Sequence, residues 1–351
     1  MADAARRRLL QAVGVGAAGL GLTAAGFTFA GASKAAPLET VARGRVWLNT
    51  QPLRAADFAG KVLLVNFWTY SCINSLRALP FMRDWASKYR DRGLIVLGVH
   101  APEFAFEHDA TRVARALIDQ GVSYPNVLDN DYAIWNAFNN EAWPGFFLVD
   151  THGRVRHNAF GEGVYAELER VLQGLLEERG VQARDRLSGL AGEGAQLQAD
   201  WNDLQSPETY VGADKAEHFT GGALRPNALT QYRAAQNLAV NQWTLSGGWT
   251  IGPEFSSPDG QASAIRFRFH ARDLHLVMGR DPAARPVRYR IKIDGAAPGS
   301  AHGVDTDAGG NGAIDADRMY QLVRQPGPIA PRTFEIAFLD PGARVYVFTF
   351  G

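Results

Sequence analysis

The single cysteine of the chain, Cys72, stands where an apolar run ends and a helical pattern begins. Before it lies Val62-Leu63-Leu64-Val65-Asn66-Phe67-Trp68, β-branched and aromatic, the pattern of a buried strand. After it, apolar residues recur at Leu76, Leu79, Met82, Trp85, Ala86 and Tyr89, so Cys72 opens a helix directly after a strand. There the free backbone N–H groups and the positive end of the helix dipole favour a thiolate, which lowers the thiol pKa and makes the sulfur a nucleophile. The alternative for a lone thiol is a buried structural cysteine. Ser75, one helical turn on, can donate a hydrogen bond to that thiolate. An activated thiolate attacks a disulfide and forms a mixed disulfide, which a thiol of the substrate or a small thiol from solution must resolve. With one cysteine, no disulfide can form within the chain.

The elements that position Cys72 run from Val46 to about Arg179, where short apolar strands alternate with amphipathic helices, as in a mixed α/β sheet. Leu94 to Val99 reads as a strand and Glu107 to Gln120 as a helix. Tyr124 to Asp129 leads to a short aromatic helix around Tyr132 to Phe138. Trp143-Pro144-Gly145 precedes the strand Phe146 to Val149, which pairs with Val155 to Phe160 as an antiparallel hairpin, and Val164 to Glu178 closes the region as a helix.

This order resembles the thioredoxin superfamily. The words Val65-Asn66-Phe67-Trp68-Thr69-Tyr70-Ser71-Cys72-Ile73-Asn74, Gly98-Val99-His100-Ala101-Pro102-Glu103-Phe104-Ala105-Phe106-Glu107, Trp143-Pro144 and Val155 to Gly163 resemble its TlpA and DipZ-like branch. The resemblance implies that Pro144 is a cis proline facing the thiol and that Ser75 stands in place of the resolving cysteine, a CxxS active site. A two-electron dithiol cycle within the chain is thereby excluded. Asn66 stands where many thioredoxins carry a buried aspartate that deprotonates the resolving thiol, and an amide cannot act as that base. Glu103 resembles the acidic residue beside the active site and is placed to exchange a proton with Cys72, its alternative being a surface carboxylate on a loop. The expected catalytic set is Cys72, Ser75 and Glu103, with Trp68, Thr69, Asn74, Trp143 and Pro144 binding substrate.

The chemistry expected is reduction or isomerisation of mixed disulfides. A second reading is a peroxidase, because peroxiredoxins place a threonine three residues before the reactive cysteine, as Thr69 stands to Cys72, although Val65 occupies the place of their proline. A peroxidatic cysteine passes through a sulfenic acid that an external thiol reduces. A third reading is a non-catalytic module that docks clients in the same groove. His100, Glu103 and His108 match no helical metal-ligand spacing, so no metal is expected, and no cofactor is called for.

Length and a 46% hydrophobic content fit two globular domains. Lys plus Arg equals Asp plus Glu at 36 each, which leaves no overall field for nucleic acid. Arg6-Arg7-Arg8-Leu9-Leu10-Gln11 before an uncharged stretch from Ala12 to Ser33 reads as a twin-arginine signal, with a cleavage site at Ala30-Gly31-Ala32. The expected location is periplasmic or extracytoplasmic, soluble after cleavage or anchored by that segment.

The expected division is a signal or anchor at 1–33, a thioredoxin-like domain at 38–180, a linker at 181–206 and a β domain at 207–351. In the last, Ile265, Phe267 and Phe269 alternate with Arg266, Arg268 and His270, and Val287, Tyr289, Ile291 and Ile293 with Arg288, Arg290 and Lys292. Such period-two runs predict an all-β, jelly-roll-like sandwich. Tyr346-Val347-Phe348-Thr349-Phe350-Gly351 and Glu208-Thr209-Tyr210-Val211-Gly212 resemble the carbohydrate-binding-module-like domain of DipZ-like proteins. A glycan is therefore a candidate ligand, with Trp243, Trp249 and Tyr320 stacking on sugar or forming core. Asp305 to Gly312 resembles a calcium loop but lacks its ligands at Gly309 and Ala316, so a polar hairpin is the alternative. DipZ proteins carry an electron-transferring membrane domain that this chain lacks, so the reductant is expected from a separate membrane partner or an external thiol.

Overall fold

Six strands form one sheet: β1 (Trp47–Leu48), β2 (Val62–Trp68), β3 (Leu94–His100), β4 (Asn126–Leu128), β5 (Gly145–Val149) and β6 (Val155–Phe160), in the order β1-β4-β3-β2-β5-β6. The computed structural model describes residues 36–260 and 263–351, so the twin-arginine segment and its cleavage site lie outside the described residues. Among the described residues five α-helices accompany the strands: α1 (Ala36–Ala42), α2 (Ile73–Lys88), α3 (Ala110–Asp119), α4 (Ala133–Ala137) and α5 (Tyr165–Glu177). By internal contacts the chain forms two units. One holds residues 36–67, Trp85–Ala101 and Tyr124–Leu187; the other holds Trp68–Asp84, Pro102–Ser123 and Ser188–Gly351.

In the first unit β2 is buried at each residue, which is why it reads as an uninterrupted apolar run instead of an alternation. Leu63, Val65 and Phe67 join Leu97 and Val99 of β3 and Phe147 and Val149 of β5 in one core with Ile134 and Trp135 of α4. Phe67 meets Trp135, Phe138 and Phe147 edge-on at 5.7, 5.7 and 5.6 Å, contacts worth about 0.5–1.5 kcal/mol each beyond their area. These pairs fix the end of the strand that leads into Cys72.

The helix expected from Glu107 starts later. Asp109 caps α3, its Oδ1 accepting the Thr111 N–H at 2.8 Å and the Arg112 N–H at 3.4 Å. Residues Ala105–His108 form a separate 3-10 turn that carries Glu107. An aspartate just before the first periodic apolar positions is an N-cap signal that the hydrophobic spacing alone does not reveal.

The second unit is built on β7 (Thr209–Tyr210), β8 (Thr230–Tyr232), β9 (Trp243–Ile251), β10 (Ser256–Pro258), β11 (Ser263–Phe269), β12 (Asp273–Arg280), β13 (Val287–Ile293), β14 (Asn311–Ile314), β15 (Arg318–Arg324), β16 (Arg332–Phe338) and β17 (Ala343–Phe350). The main path is β14-β13-β16-β11-β9-β10-β17-β12-β15, with β7 on β17 and β8 on β9. β9 joins the two layers: residues Trp243 to Ser246 pair with β11, and Gly247 to Ile251 pair with β8 or β10. The change of partner falls at Gly247, whose φ of 81° an L side chain rarely adopts. The alternating residues close over one core, with Ile265, Phe267, Ile291, Phe334, Ile336 and Phe348 among its members.

Trp243, Trp249 and Tyr320 are fully buried in that core, so of the two roles open to them they form core and offer no face to a sugar. The Asp305 to Gly312 loop is a polar hairpin: Asp307 Oδ1 accepts the Asn311 N–H at 2.7 Å, and Asp305 accepts the Gln321 N–H at 2.7 Å and pairs with Arg318 at 2.9 Å. Among the described residues no helix is long and apolar enough to cross a membrane.

Candidate active site

Cys72 lies between β2 and α2, as the sequence pattern predicts, and only 7% of it is exposed. Ser75 hydrogen-bonds the sulfur through both its backbone and its side chain, and the Ser75 Oγ accepts the Thr69 N–H at 3.3 Å. These bonds favour the thiolate. Burial outweighs them, and the negative charges of Glu208 and Glu103 add to it, so the thiol is held well above its ordinary pKa. The expected low-pKa thiolate is thus corrected: the helix terminus is present, but desolvation and two carboxylates oppose it.

Glu103 is no loose surface carboxylate. Its Oε1 accepts from the Tyr210 hydroxyl and pairs with Lys215 Nζ at 3.4 Å. The Tyr210 hydroxyl also reaches Glu208 Oε2 at 3.0 Å, and Lys215 sits 4.5 Å from the centre of the Tyr210 ring. Burial, then the charges of Glu103 and Glu208, raise the Tyr210 pKa, so it stays a phenol and a donor. All four residues belong to the second unit, as Cys72 does.

A further carboxylate escaped the sequence reading. Glu107 is fully buried; its Oε1 accepts from Ser71 Oγ at 2.7 Å and the Ser71 N–H at 3.3 Å, and its Oε2 accepts the N–H groups of Glu103 and Phe104. It thereby ties the turn before Cys72 to the loop that carries Glu103. Burial raises its pKa, and hydrogen bonds from Thr69 and Ser71 work the other way. The Thr69 side chain also donates to Glu107. Phe104 and Phe106 stack at 5.6 Å, and each meets Tyr346 at 5.0 Å.

Of the residues expected to contact substrate, Trp68 and Thr69 are fully buried and Asn74 is half-buried, so Trp68 presents no face. In the first unit Trp143 is half-buried, donates from Nε1 to the Ala101 carbonyl at 3.0 Å and packs 4.6 Å from Trp135. The Trp143–Pro144 bond is cis, as the resemblance implied. His108 Nδ1 bonds the Ala105 carbonyl at 3.1 Å, and among the described residues no cluster of His, Cys, Asp and Glu is placed to hold a metal.

Residues 34–158 match the AhpC/TSA family and residues 206–351 match the thioredoxin-like C-terminal domain. Protein DipZ of Mycobacterium bovis is 37% identical over 314 residues, which is 87% of this chain and 41% of that protein. The chain is a DipZ homologue. It spans about two fifths of the length of that relative. Its first part is also homologous to the thiol-disulfide oxidoreductase YkuV of Bacillus subtilis, 28% identical over 40% of this chain and 95% of that one. Among solved structures, a thioredoxin-like protein in its oxidized form is 29% identical over 39% of this chain and 90% of that one, with a TM-score of 0.36. The similarity to YkuV falls on the α/β part, and the all-β part that follows it is the one matched by the thioredoxin-like C-terminal domain.

Proposed function

We propose that this chain is an exported monothiol protein that carries out thiol-disulfide exchange on client proteins or small thiols through Cys72. The observation that carries the reading is the pairing of Cys72 with Ser75 at the start of α2 in a chain without a second cysteine. The division into 38–180, 181–206 and 207–351 belongs to the same proposal, as do export by the N-terminal segment and client binding by Asn74, Trp143 and Pro144.

In this mechanism Cys72 gives its proton to solvent, Ser75 hydrogen-bonds the thiolate that results, and the thiolate attacks one sulfur of a client disulfide. The Cys72–client S–S bond forms as the client S–S bond breaks, and the second client sulfur leaves as a thiolate and takes up a proton. When another client cysteine attacks the bound client sulfur, a rearranged client disulfide forms, Cys72 leaves, and the net reaction is isomerisation. When an external thiol attacks the Cys72 sulfur, the client leaves reduced, and a second external thiol frees Cys72. Two external thiols then become one disulfide, so the two electrons come from that reductant. A separate membrane electron-transfer partner would keep it reduced.

The burial of Cys72 and its raised pKa favour a second reading, a client-binding module without catalysis. Refolding of a scrambled disulfide protein in a glutathione buffer separates the two. The full chain accelerates recovery and Cys72→Ser does not if exchange is the function; equal recovery with both proteins supports the binding module.

A further inference from the structure

Glu107 ends the 3-10 turn Ala105–His108 by reaching back to its start, where Oε2 accepts the Phe104 N–H at 3.0 Å and the Glu103 N–H at 2.5 Å. A glutamate at this position of a turn commonly reaches back so, and one oxygen is enough for it. The other oxygen points elsewhere. Oε1 accepts from the Ser71 Oγ at 2.7 Å and from the Ser71 N–H at 3.3 Å across a separation of 36 residues, and the Thr69 side chain donates to the same carboxylate. Ser71 precedes Cys72 in the chain, and Glu103 carries one of the two negative charges that act on the Cys72 thiol. All of these residues lie in the second unit. We propose that Glu107 is a positioning residue for Cys72, its carboxylate setting the place of the thiol against Glu103.

The donors around Glu107 call for a carboxylate in particular. A carboxyl group with no exposure is costly unless its lone pairs are filled, and here three backbone N–H groups and the Ser71 hydroxyl fill them. Backbone N–H groups only donate, so both sides of the group must accept. An amide has one accepting oxygen. In Glu107→Gln that oxygen belongs on the side with two N–H groups, which keeps the turn, and the NH2 then faces Ser71, whose hydroxyl can turn to accept but whose N–H cannot. The substitution therefore loosens the Cys72 side and spares the Glu103 side. Glu103 is also held by the Tyr210 hydroxyl and Lys215, so the thiol shifts against a charge that stays in place. Of the other charges about this turn, Arg112 and Asp317 pair with each other, and Glu208 shares the Tyr210 hydroxyl with Glu103. The inference rests on the reading of Cys72 as the reacting thiol.

The test is a double-mutant cycle in the full chain: wild type, Glu107→Gln, Glu103→Gln and the double variant, each alkylated with iodoacetamide from neutral to alkaline pH and read by intact mass, with urea midpoints measured alongside. Glu107→Gln is expected to lower the apparent pKa of Cys72 and to raise alkylation at a fixed pH about threefold, which corresponds to about half a pKa unit. With Glu103 already replaced by Gln, the same substitution is expected to change the rate by less than about 1.5-fold, because the charge through which it acts is gone. Should Glu107→Gln fail to fold, Ser71→Ala, which removes the 2.7 Å bond and leaves the turn intact, takes its place in the cycle with the same expectation. Equal shifts in both backgrounds mean that Glu107 acts by its own charge or by general loosening, and overturn the proposal. A lowered urea midpoint with an unchanged pH profile leaves Glu107 a structural tie alone, and overturns it as well. Alkylation needs no disulfide, so neither result bears on exchange itself, which refolding in a glutathione buffer decides separately.

Discussion

The Tyr210 hydroxyl donates to the Glu103 carboxylate across a sequence separation of 107 residues. With Glu208 on the same hydroxyl and Lys215 on the same carboxylate, the bond sets two negative charges near the Cys72 sulfur and holds them there. The β7 strand, whose neighbouring words resemble the C-terminal domain of DipZ-like proteins, thereby takes part in setting the charge around Cys72.

Neutralising these carboxylates changes the thiol in a defined direction. Glu103→Gln and Glu208→Gln each remove a charge that disfavours the thiolate, so the Cys72 pKa falls. Alkylation at a fixed pH then rises with the thiolate fraction, about tenfold if the pKa falls by about one. Iodoacetamide rates against pH, read by intact mass, check this. Unchanged profiles in both variants contradict the placement of the charges.

Removing the Tyr210 hydroxyl leaves Glu103 and Glu208 without a shared donor. Tyr210→Phe is expected to cost about 1.5–3 kcal/mol of stability, the range for a hydrogen bond to a charged group. Urea unfolding midpoints of wild type and variant measure it.

His275 makes stability depend on pH. In the unfolded chain a histidine binds a proton below about 6.5, whereas the folded ring stays neutral to about 3. Between those values the unfolded state holds more protons, so stability rises with pH and is lost as pH falls from about 6.5 towards 3, by up to about 1.4 kcal/mol per pH unit. His275→Gln should flatten that part of the curve, as read from Tm against pH.

Helix α3 depends on its cap. Asp109→Ala leaves the Thr111 and Arg112 N–H groups without their acceptor, which should cost about 1 kcal/mol. Asp109→Asn should recover most of it, because an amide oxygen also accepts; urea unfolding midpoints of the two variants make the comparison.

Local patterns were legible and distant ones were not. The β2 run, the start of α2 at Cys72 and the Cys72–Ser75 pairing follow from burial and helical spacing within about ten residues. Alternation on β11 and β13 likewise predicts an all-β part. The outer face of β12 was not readable, because alternation at Leu274, Leu276 and Met278 says which residues face the core and nothing about what covers His275. Glu208 and Tyr210 next to Glu103 depend on pairing of β7 with β17, a contact of high sequence separation. The direction in which the Cys72 pKa moves was missed for the same reason: the helix terminus is local, and the burial and carboxylates that outweigh it are not. Trp243 and Trp249 look the same in sequence whether a sheet buries them or presents them.

The central claim is that Cys72 exchanges with disulfides while the protein is folded. Incubating the full chain with oxidised glutathione at pH 8 and weighing the intact protein tests this directly. The account predicts one glutathione adduct, absent in Cys72→Ser and removed by excess dithiothreitol. A native protein that takes up no glutathione, but does so once unfolded in urea, would contradict it.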